Sequence, residues 1–336
     1  MTPSAPHVNA PLRIAVTLPC YNEVATIGQV VRDFRAALPQ ADIYVFDNNS
    51  SDGTAQAAAD AGAIVRTETR QGKGHVVRRI FADVEADVYV MADGDGTYDP
   101  SAAPVLIELM QKNMVDMVVG TRAGVTKDAG RGGHAFGNTV FNRLYQFMFG
   151  RDFTDIFSGY RVFSRRFAKS FPATSGGFEI ETEMSVHASQ IGMAVLERPT
   201  RYGVRPEDSE SKLRTFHDGF RILGMFAVLA KETRPAAFFG AIGATLMLLA
   251  LALSVPIAIT YFETGLVPRY PTLILVTGMS VVAFMSAVCG LILDSLARAR
   301  IEQKRSVFLS YPAVGEYSLM RRRVDDGSDR QLTTLR

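Results

Sequence analysis

VYVMADGDGTYD, residues 88–99, consists of a short apolar run followed by an acidic turn that contains two glycines. The apolar run is typical of a buried strand, and the turn places Asp93 and Asp95 at its carboxyl end. Small residues there let a diphosphate approach the backbone, and such oxygen ligands suit Mg²⁺ or Mn²⁺. The stretch therefore predicts a strand that ends at a metal-diphosphate site, with a solvated acidic turn as the alternative.

Strand-like and helix-like patterns alternate on both sides of this stretch. The predicted strands cover 13–18, 43–47, 63–67, 88–93 and 117–121, and helical patterns begin after Glu23, Gly53, His75 and Pro100. Such alternation predicts an α/β fold with a mostly parallel, Rossmann-like sheet covered on both faces. Because an open α/β sheet binds its ligand at the carboxyl ends of its strands, we expect Asp47 and Asp93 at the site.

The region after the fifth strand completes the predicted domain, which spans 12–213. A glycine-rich, basic stretch from Arg122 to Gly137 is long and irregular, as in a mobile loop over a site. We expect a helix over 137–149, a loop over 150–158, a short strand over 160–163 and a helix over 179–190. Residues 1–11 lack an apolar segment and predict a disordered lead-in.

Two charge-free apolar runs follow, 236–262 and 270–293, with 27 and 24 residues. Each is long enough to cross a hydrocarbon core of roughly 30 Å as a helix. The runs predict a transmembrane hairpin over 235–293. Two buried core helices of a soluble protein are the alternative.

Charged residues flank this hairpin on its outer sides. Lys231 and Arg234 precede it, and four cations between Arg298 and Arg305 follow it. Their excess places both flanks in the cytoplasm. We expect an amphipathic helix over 214–234, at the membrane interface or against the soluble domain, and a cytoplasmic basic tail over 294–336.

Composition argues against a nucleic-acid-binding protein and against a disulfide-bonded one. The formal net charge is +2, and the basic residues form no dense tract before the apolar runs, so no nucleic-acid partner is expected. The chain has two cysteines, Cys20 beside a predicted strand and Cys289 within an apolar run. No disulfide is expected between such positions, and the soluble domain is predicted to be cytosolic.

Other polar residues have two interpretations each. In DNNSSDGT, residues 47–54, Asp52 is expected to cap a helix, whereas Asp47 suits a base or ribose. Asn22 predicts a helix N-cap or a nucleotide contact. Lys73 lies in a GKG that lacks the Ser or Thr of a Walker-type loop, so it predicts a charge near the nucleotide or a surface lysine.

Cations that suit phosphate oxygens follow in the later loops: Arg122, Arg131, Arg161, Arg205 and Lys212.

Several motifs in order give a more specific indication. These are Tyr21-Asn22-Glu23, 47–54, Gly72-Lys73-Gly74, 93–100, Thr121-Arg122, 155–161 and Ser211-Lys212-Leu213. Over roughly 13–213 they resemble the family 2 glycosyltransferases of the dolichyl- and polyprenyl-phosphate sugar synthase type, and the hairpin resembles bacterial members with C-terminal spans. The resemblance implies a GT-A fold, and transfer of a sugar from a UDP- or GDP-linked donor to a polyprenyl phosphate with inversion, dependent on Mg²⁺ or Mn²⁺.

The resemblance also implies roles for individual residues. The metal would be bound by Asp93 and Asp95. The nucleotide sugar would be bound by Pro19, Tyr21, Asn22, Glu23, Asp47, Asn49, Lys73, Asp93, Gly94, Arg205 and Lys212. The catalytic set would be Asp155, Asp95, Arg122 and Arg131, and the acceptor phosphate would contact Arg122, Arg131, Ser158 and Arg161. The chain departs from the family at Thr97, where many relatives carry Gln, and by the acids Glu207, Asp208 and Glu210.

Physical chemistry limits the role of Asp155. A phosphate monoester has a second pKa of about 6, so at neutral pH it is mostly a dianionic nucleophile that needs no strong base. We therefore expect Asp155 to orient groups, while the metal and the arginines stabilise the departing nucleoside diphosphate.

The sequence thus predicts a polyprenyl-phosphate glycosyltransferase of the inner membrane that faces the cytosol and makes a lipid-linked sugar for cell-envelope glycoconjugates. The alternatives are a transferase that uses another membrane lipid and a non-catalytic scaffold that binds nucleotide sugars. Gly240, Gly243, Gly278 and Gly290 lie in the spans, where small residues permit close helix contacts, and they leave a homo-oligomer open.

Overall fold

The computed structural model describes residues 12–123, 142–143, 145–146, 150, 152–177, 179–203, 228 and 231–313. These residues fall into two compact units, 12–203 together with 304–313, and 228–303. The first unit holds a β-sheet and the candidate site, and the second holds most of two long apolar helices.

Strands and helices alternate in the first unit. Its described strands are β1 Ile14–Cys20, β2 Asp42–Asp47, β3 Ile64–Thr67, β4 Val88–Met91, β5 Met117–Ala123, β6 Arg161–Ser164 and β7 Val195–Arg201. Its described helices are α1 Val24–Ala37, α2 Thr54–Asp60, α3 Lys73–Asp83, α4 Ala103–Asn113, α5 Arg165–Ser170 and α6 Ile180–Gln190.

The strands form one sheet in the order β3-β2-β1-β4-β6-β5-β7. Strand β6 lies antiparallel to β4 and β5, and every other pair is parallel. The predicted α/β fold with a mostly parallel sheet is confirmed, and all the predicted strands are present within a few residues. Strand β7 was not predicted because it is a half-exposed edge strand that contains Pro199, so its apolar pattern is weak.

Apolar side chains cover both faces of the sheet. All seven residues of β1 are buried, and Ile27, Val31 and Phe34 of α1 recur at helical spacing in the same core. Elsewhere in the core, Phe163 and Phe167 stack with ring centroids 4.9 Å apart. Full burial of each such side chain stabilises the fold by about 1.5–3 kcal/mol. The carboxyl ends of β1, β2 and β4 are therefore held on a rigid base.

Two long helices follow, α7 Pro235–Thr264 and α8 Tyr270–Leu309. Both are long and apolar enough to cross a membrane, and their most apolar windows are 17% and 11% buried within the described chain. A core helix of a soluble protein is mostly buried, so the soluble alternative is disfavoured.

Helix α8 continues to Leu309, past its predicted end at Leu293. The first part of the predicted tail is therefore helical, because charged side chains end a membrane span without ending a helix, and the cytoplasmic placement of the tail stays a prediction. Residues 304–313 belong to the first unit.

The glycines of the hairpin differ in their surroundings. A Cβ atom at Gly243 would lie 2.8 Å from the carbonyl oxygen of Ala283, and one at Gly290 would lie 3.1 Å from the Cβ of Phe239. At Gly240 and Gly278, no atom of the described residues lies within 4 Å of that position. Two of the four glycines thus permit close contact between α7 and α8, and the homo-oligomer stays a prediction.

Candidate active site

Acidic side chains gather around Cys20, at the carboxyl end of β1. The register of the sheet pairs Cys20 with Asp47, the last residue of β2. Burial raises the pKa of the Cys20 thiol well above its usual value, and the negative charges of Glu23, Asp93, Asp47 and Asp95 raise it further. The fold therefore brings these carboxylates to one edge of the sheet, as the strand pattern predicted.

The turn after β4 packs tightly onto β1 at Gly94. A Cβ atom at this position would overlap the Sγ atom of Cys20 and would lie 3.3 Å from Ile27. The carbonyl oxygen of Gly94 accepts a hydrogen bond from Thr26 Oγ1 at 2.8 Å. The glycine between the two aspartates is thus required for close approach of the turn to the sheet.

The two aspartates of the turn have different surroundings. Asp95 is only 2% exposed, and its Oδ1 accepts hydrogen bonds from the Thr97 amide at 3.1 Å and from Thr97 Oγ1 at 2.6 Å. The side chain of Asp93 is 30% exposed. Thr97 therefore fixes the orientation of Asp95.

Lys73, the first residue of α3, pairs with two carboxylates. Its Nζ lies 2.5 Å from Asp93 Oδ1 and also contacts Glu181 Oε1. Burial opposes the charge of Lys73, but Asp93 and Glu181 outweigh it and raise the pKa above its usual value. Lys73 therefore stays a cation at neutral pH and is not a surface lysine.

Glu181 is a site residue that the sequence analysis missed. It is 4% exposed on α6, among the buried Ile180, Met184 and Ser185. A buried charge is costly unless it is paired. Helix α6 is buried on most sides, polar residues included, so its sequence has no clear apolar stripe that would have marked Glu181 as a buried position.

Asp47 carries a buried oxygen with no hydrogen-bond partner in the described part of the chain. The residue is 5% exposed, and its Oδ2 accepts from the Ser50 amide at 3.3 Å, whereas its Oδ1 meets no donor among the described residues. An unpaired buried acceptor is unfavourable, so this atom is suited to an N–H or O–H group of a ligand. A base or a ribose supplies such a donor.

The neighbouring polar residues shape the loops. The Oδ1 atom of Asn22 accepts from the Ser51 amide at 2.9 Å. Asp52 accepts from the amides of Val24 at 3.0 Å and Thr54 at 2.9 Å, at the starts of α1 and α2. The N-cap residues of α1 and α2 are Glu23 and Gly53, so neither Asn22 nor Asp52 is an N-cap residue. Asp52 nevertheless satisfies the first amide of each helix from the adjacent loop.

Three other predicted nucleotide residues lie nearby with different exposure. Pro19 is buried within β1, beside Phe46 of β2, so it shapes the strand. Asn49 is exposed and donates from Nδ2 to the Thr69 carbonyl at 2.7 Å. Tyr21 is 37% exposed. Of these three, Tyr21 and Asn49 are accessible to a ligand.

Arg122 and Asp155 form a bidentate ion pair. Nε lies 2.8 Å from Oδ2 and Nη2 lies 2.7 Å from Oδ1. Burial alone would raise the pKa of Asp155, but the hydrogen bonds and the charge of Arg122 hold it below its usual value. Asp155 is therefore an anion that binds protons weakly, which agrees with an orienting role.

Arg161 and Ser158 do not fit their predicted contact with the acceptor phosphate. Arg161 is completely buried, and it donates to the carbonyls of Ser158 and Ile156 and to Ser185 Oγ, each at 2.9 Å. Ser158 is also completely buried and donates to the Gly120 carbonyl at 2.6 Å. Both side chains hold the 155–161 loop against the sheet instead.

Known proteins resemble this chain in sequence and in fold. Residues 15–171 match the family described as Glycosyl transferase family 2. The glycosyltransferase AglJ of Haloferax volcanii is 37% identical over 235 residues, which cover 69% of this chain and 77% of that protein. The chain belongs to glycosyl transferase family 2. The family assignment expected from the ordered motifs is thereby confirmed.

Two further similarities bear on this family 2 chain. The undecaprenyl-phosphate mannosyltransferase of Micrococcus luteus is 26% identical over 219 residues, which cover 60% of this chain and 88% of that protein. The crystal structure of glucosyl-3-phosphoglycerate synthase from Mycobacterium tuberculosis, in complex with Mn²⁺ and UDP-glucose, has a TM-score of 0.53 and 23% identity, and the similarity covers 66% of this chain and 79% of that one. The structural similarity shows that the fold is GT-A-like.

The donor set of the family 2 site suits a divalent cation. Asp93 and Asp95 offer hard carboxylate oxygens at one strand end, and the acids around Cys20 outnumber the cation Lys73. Within the described residues, no group of three or more His, Cys, Asp or Glu side chains is arranged to hold a metal. A cation here would therefore complete its shell with phosphate oxygens and water, as Mg²⁺ commonly does.

Several predicted residues and segments lie outside the described part of the chain. They are Arg131, Arg205, Lys212, the acids 207–210, the loop 124–137, residues 1–11, most of the predicted amphipathic helix and the tail beyond 313. The domain boundary at 213 and the roles of these residues stay predictions.

Proposed function

We propose that this chain transfers a sugar from a UDP- or GDP-linked donor to a polyprenyl phosphate, with inversion at the anomeric carbon. The observation that carries the proposal is the attachment of a family 2 domain to two helices of membrane length. A polyprenyl acceptor presents its phosphate at a bilayer surface, where such an anchor keeps the enzyme. The similarity to an undecaprenyl-phosphate mannosyltransferase supports the same acceptor.

The carboxyl edge of the sheet is proposed to bind the donor. The Oδ1 atom of Asp47, which meets no donor within the described ranges, accepts a hydrogen bond from the base or ribose, and the exposed Tyr21 and Asn49 lie nearby. Asp93 and Asp95 hold Mg²⁺ or Mn²⁺, which when bound neutralises the negative charge of the diphosphate. The buried ammonium of Lys73 adds a fixed positive charge at the same edge.

The acceptor phosphate is the proposed nucleophile. One of its oxygens forms the bond to the anomeric carbon, the bond to the donor diphosphate breaks on the opposite face, and the nucleoside diphosphate leaves with both electrons. Because the phosphate monoester is already mostly dianionic at neutral pH, no residue needs to remove a proton. Asp155 and Arg122, locked to each other, orient groups at the reaction centre.

The cations predicted from sequence complete the proposed site. Two anionic molecules repel each other, so arginine and lysine side chains near both phosphates lower the barrier to their encounter. Arg131 is proposed for the acceptor phosphate, and Arg205 and Lys212 for the donor. Arg161 and Ser158 are left out of this set because they are buried.

The proposed location is the inner membrane, with the catalytic domain and both termini in the cytoplasm. The cationic flanks of the two apolar helices favour this topology. Nucleotide sugars are made in the cytosol, so the donor and the acceptor phosphate meet on this side.

The proposal is tested with the full-length protein in detergent. Radiolabelled UDP- and GDP-sugars are supplied with undecaprenyl phosphate, with and without Mn²⁺ or Mg²⁺, and label in the organic phase is counted. We expect one donor to label the lipid only when the metal is present. NMR of the product then reports the anomeric configuration, which should be opposite to that of the donor.

Two controls separate the alternatives. Diacylglycerol is supplied in parallel, and label on this lipid without label on undecaprenyl phosphate would contradict the proposed acceptor. Binding of UDP or GDP that needs no metal, with no transfer from any donor, would support a non-catalytic scaffold.

A further inference from the structure

Lys73 has one partner near the surface of the site and one beneath it. The side chain of Asp93 is 30% exposed, whereas those of Lys73 and Glu181 are 8% and 5% exposed. Glu181 lies on α6, whose neighbouring residues are buried. The ammonium group therefore bridges an accessible carboxylate and an inaccessible one.

The backbone around Lys73 leaves it little room. A Cβ atom at Gly159 would lie 3.0 Å from Asp93 Oδ2 and 3.2 Å from Lys73 Nζ, so the chain passes directly against this pair. A Cβ atom at Gly74, the next residue of α3, would overlap the carbonyl of Ser175. The backbone at Gly159 thus lies against the Lys73 ammonium, and the packing at Gly74 fixes the start of α3.

Asp93 has two competing demands. It is the counter-ion of Lys73, and in the proposed function it is also a ligand of a divalent cation. A divalent cation bound to Asp93 repels the ammonium of Lys73. It also pairs with the Asp93 carboxylate, whose negative charge would otherwise balance that ammonium. A buried ammonium with no other counter-ion would then oppose metal binding strongly.

We propose that Glu181 is a positioning residue: its carboxylate balances the positive charge of Lys73 and holds the ammonium in place. Asp93 is thereby free to bind a divalent cation. This inference rests on the proposed metal-dependent function. Glu181 has no contact with the metal in this arrangement and acts only through Lys73. The ammonium then stays at the edge where the donor diphosphate is expected.

The test measures Mn²⁺ binding by the full-length protein in detergent, with the metal alone as the probe. Electron paramagnetic resonance reports free Mn²⁺ during the titration. We expect Glu181→Gln to weaken Mn²⁺ binding about tenfold or more, because the uncompensated Lys73 competes for Asp93.

Asp83→Asn is the matched control, because Asp83 ends the helix that Lys73 begins and pairs with the exposed Arg79. We expect this variant to bind Mn²⁺ within about twofold of the wild type, since the lost charge lies at the opposite end of α3 from Lys73 and is screened by salt. Equal weakening in both variants would overturn the inference, because the loss of distant negative charge would then explain the effect.

A second comparison separates action through Lys73 from direct action. Mn²⁺ binding by the single variant Lys73→Met is compared with that by the double variant Lys73→Met/Glu181→Gln. In the single variant Glu181 still has a positive charge nearby, because Arg161 lies within electrostatic reach of it. We expect the two variants to bind Mn²⁺ equally, because Glu181 has no lysine left to hold. Weaker binding by the double variant would overturn the inference. This comparison remains decisive if Glu181→Gln alone does not fold.

Kinetics provide a readout that distinguishes the two proposals. In an active enzyme, Glu181→Gln should raise the donor KM more than it lowers kcat. A wild type that binds Mn²⁺ but labels no polyprenyl phosphate would contradict the proposed function and leave the role of Glu181 standing. An active wild type whose Glu181→Gln variant binds Mn²⁺ normally would contradict the role of Glu181 alone.

Discussion

Arg122 binds both carboxylate oxygens of Asp155, although the two residues are 33 positions apart in the chain. Glu197 of β7 supports the same loop by accepting from the Thr154 amide at 2.8 Å. Arg122 lies with its guanidinium carbon 5.7 Å from the centroid of the Tyr202 ring. Asp155 is therefore a fixed anion whose position is set from several sides.

This ion pair predicts a specific dependence of stability on pH. The pKa of folded Asp155 lies below that of the unfolded chain, which is about 3.9. The stabilisation is therefore complete above that value and is lost as the pH falls through the folded pKa. We expect Asp155→Asn to cost about 3 kcal/mol at pH 7, with a constant Tm difference from the wild type between pH 8 and about pH 5 and a smaller one below about pH 4. Thermal melts across this range test the prediction; a difference that vanishes by pH 6 would contradict it.

Asp95→Asn is expected to reduce transfer at least about a hundredfold, because the amide loses the charge that attracts a divalent cation. The fold should persist, since an amide oxygen still accepts the hydrogen bonds from Thr97. Transfer of label and Tm are measured together. Asp33→Asn, an exposed acid on α1, is the control and should retain full activity. Wild-type activity in Asp95→Asn would remove this residue from the metal site.

The contact between Gly94 and Cys20 predicts a suppressor pair. Gly94→Ala should cost about 2 kcal/mol, because the added methyl group overlaps the thiol in a packed core. Cys20→Ala removes that sulfur, and the nearest remaining side-chain atom, on Ile27, lies 3.3 Å from the added methyl group. The double variant should therefore regain much of the lost Tm. Additive losses would show that the two residues do not clash.

The end of helix α8 stabilises the first unit. Phe308 is 6% exposed, and the guanidinium of Arg166 lies 4.4 Å from the centroid of its ring. Arg305 donates to the Ile191 carbonyl at 2.7 Å. Phe308→Ala is expected to lower stability by about 3 kcal/mol. The exposed Val307→Ala is the control in thermal melts, and an equal effect of both changes would contradict a specific contact.

Arg131→Ala tests the predicted acceptor role of the basic loop. We expect this change to weaken transfer to polyprenyl phosphate more than hydrolysis of the donor by water, because only transfer needs the second anion to be neutralised. Both rates are measured with the same labelled donor. Equal loss of the two activities would place Arg131 on the donor side.

Much of the fold was predictable because its signals are local. The apolar run 88–91 and the acids after it define a strand and its carboxyl end, and the strand-helix alternation predicts a mostly parallel sheet in which that end meets Asp47. The lengths of the two apolar runs predict membrane helices without any tertiary contact. These features depend on the periodicity and composition of continuous segments.

The partners of the site residues were decided only by the tertiary structure. Strand β6 inserts antiparallel between β4 and β5, and this insertion buries Arg161 and places Asp155 against Arg122. The packing of α6 places Glu181 beside Lys73. A charged side chain in a motif looks the same in sequence whether it binds a ligand or a distant residue of its own chain. Burial and long-range pairing separate these roles, and both arise only when the segments pack together.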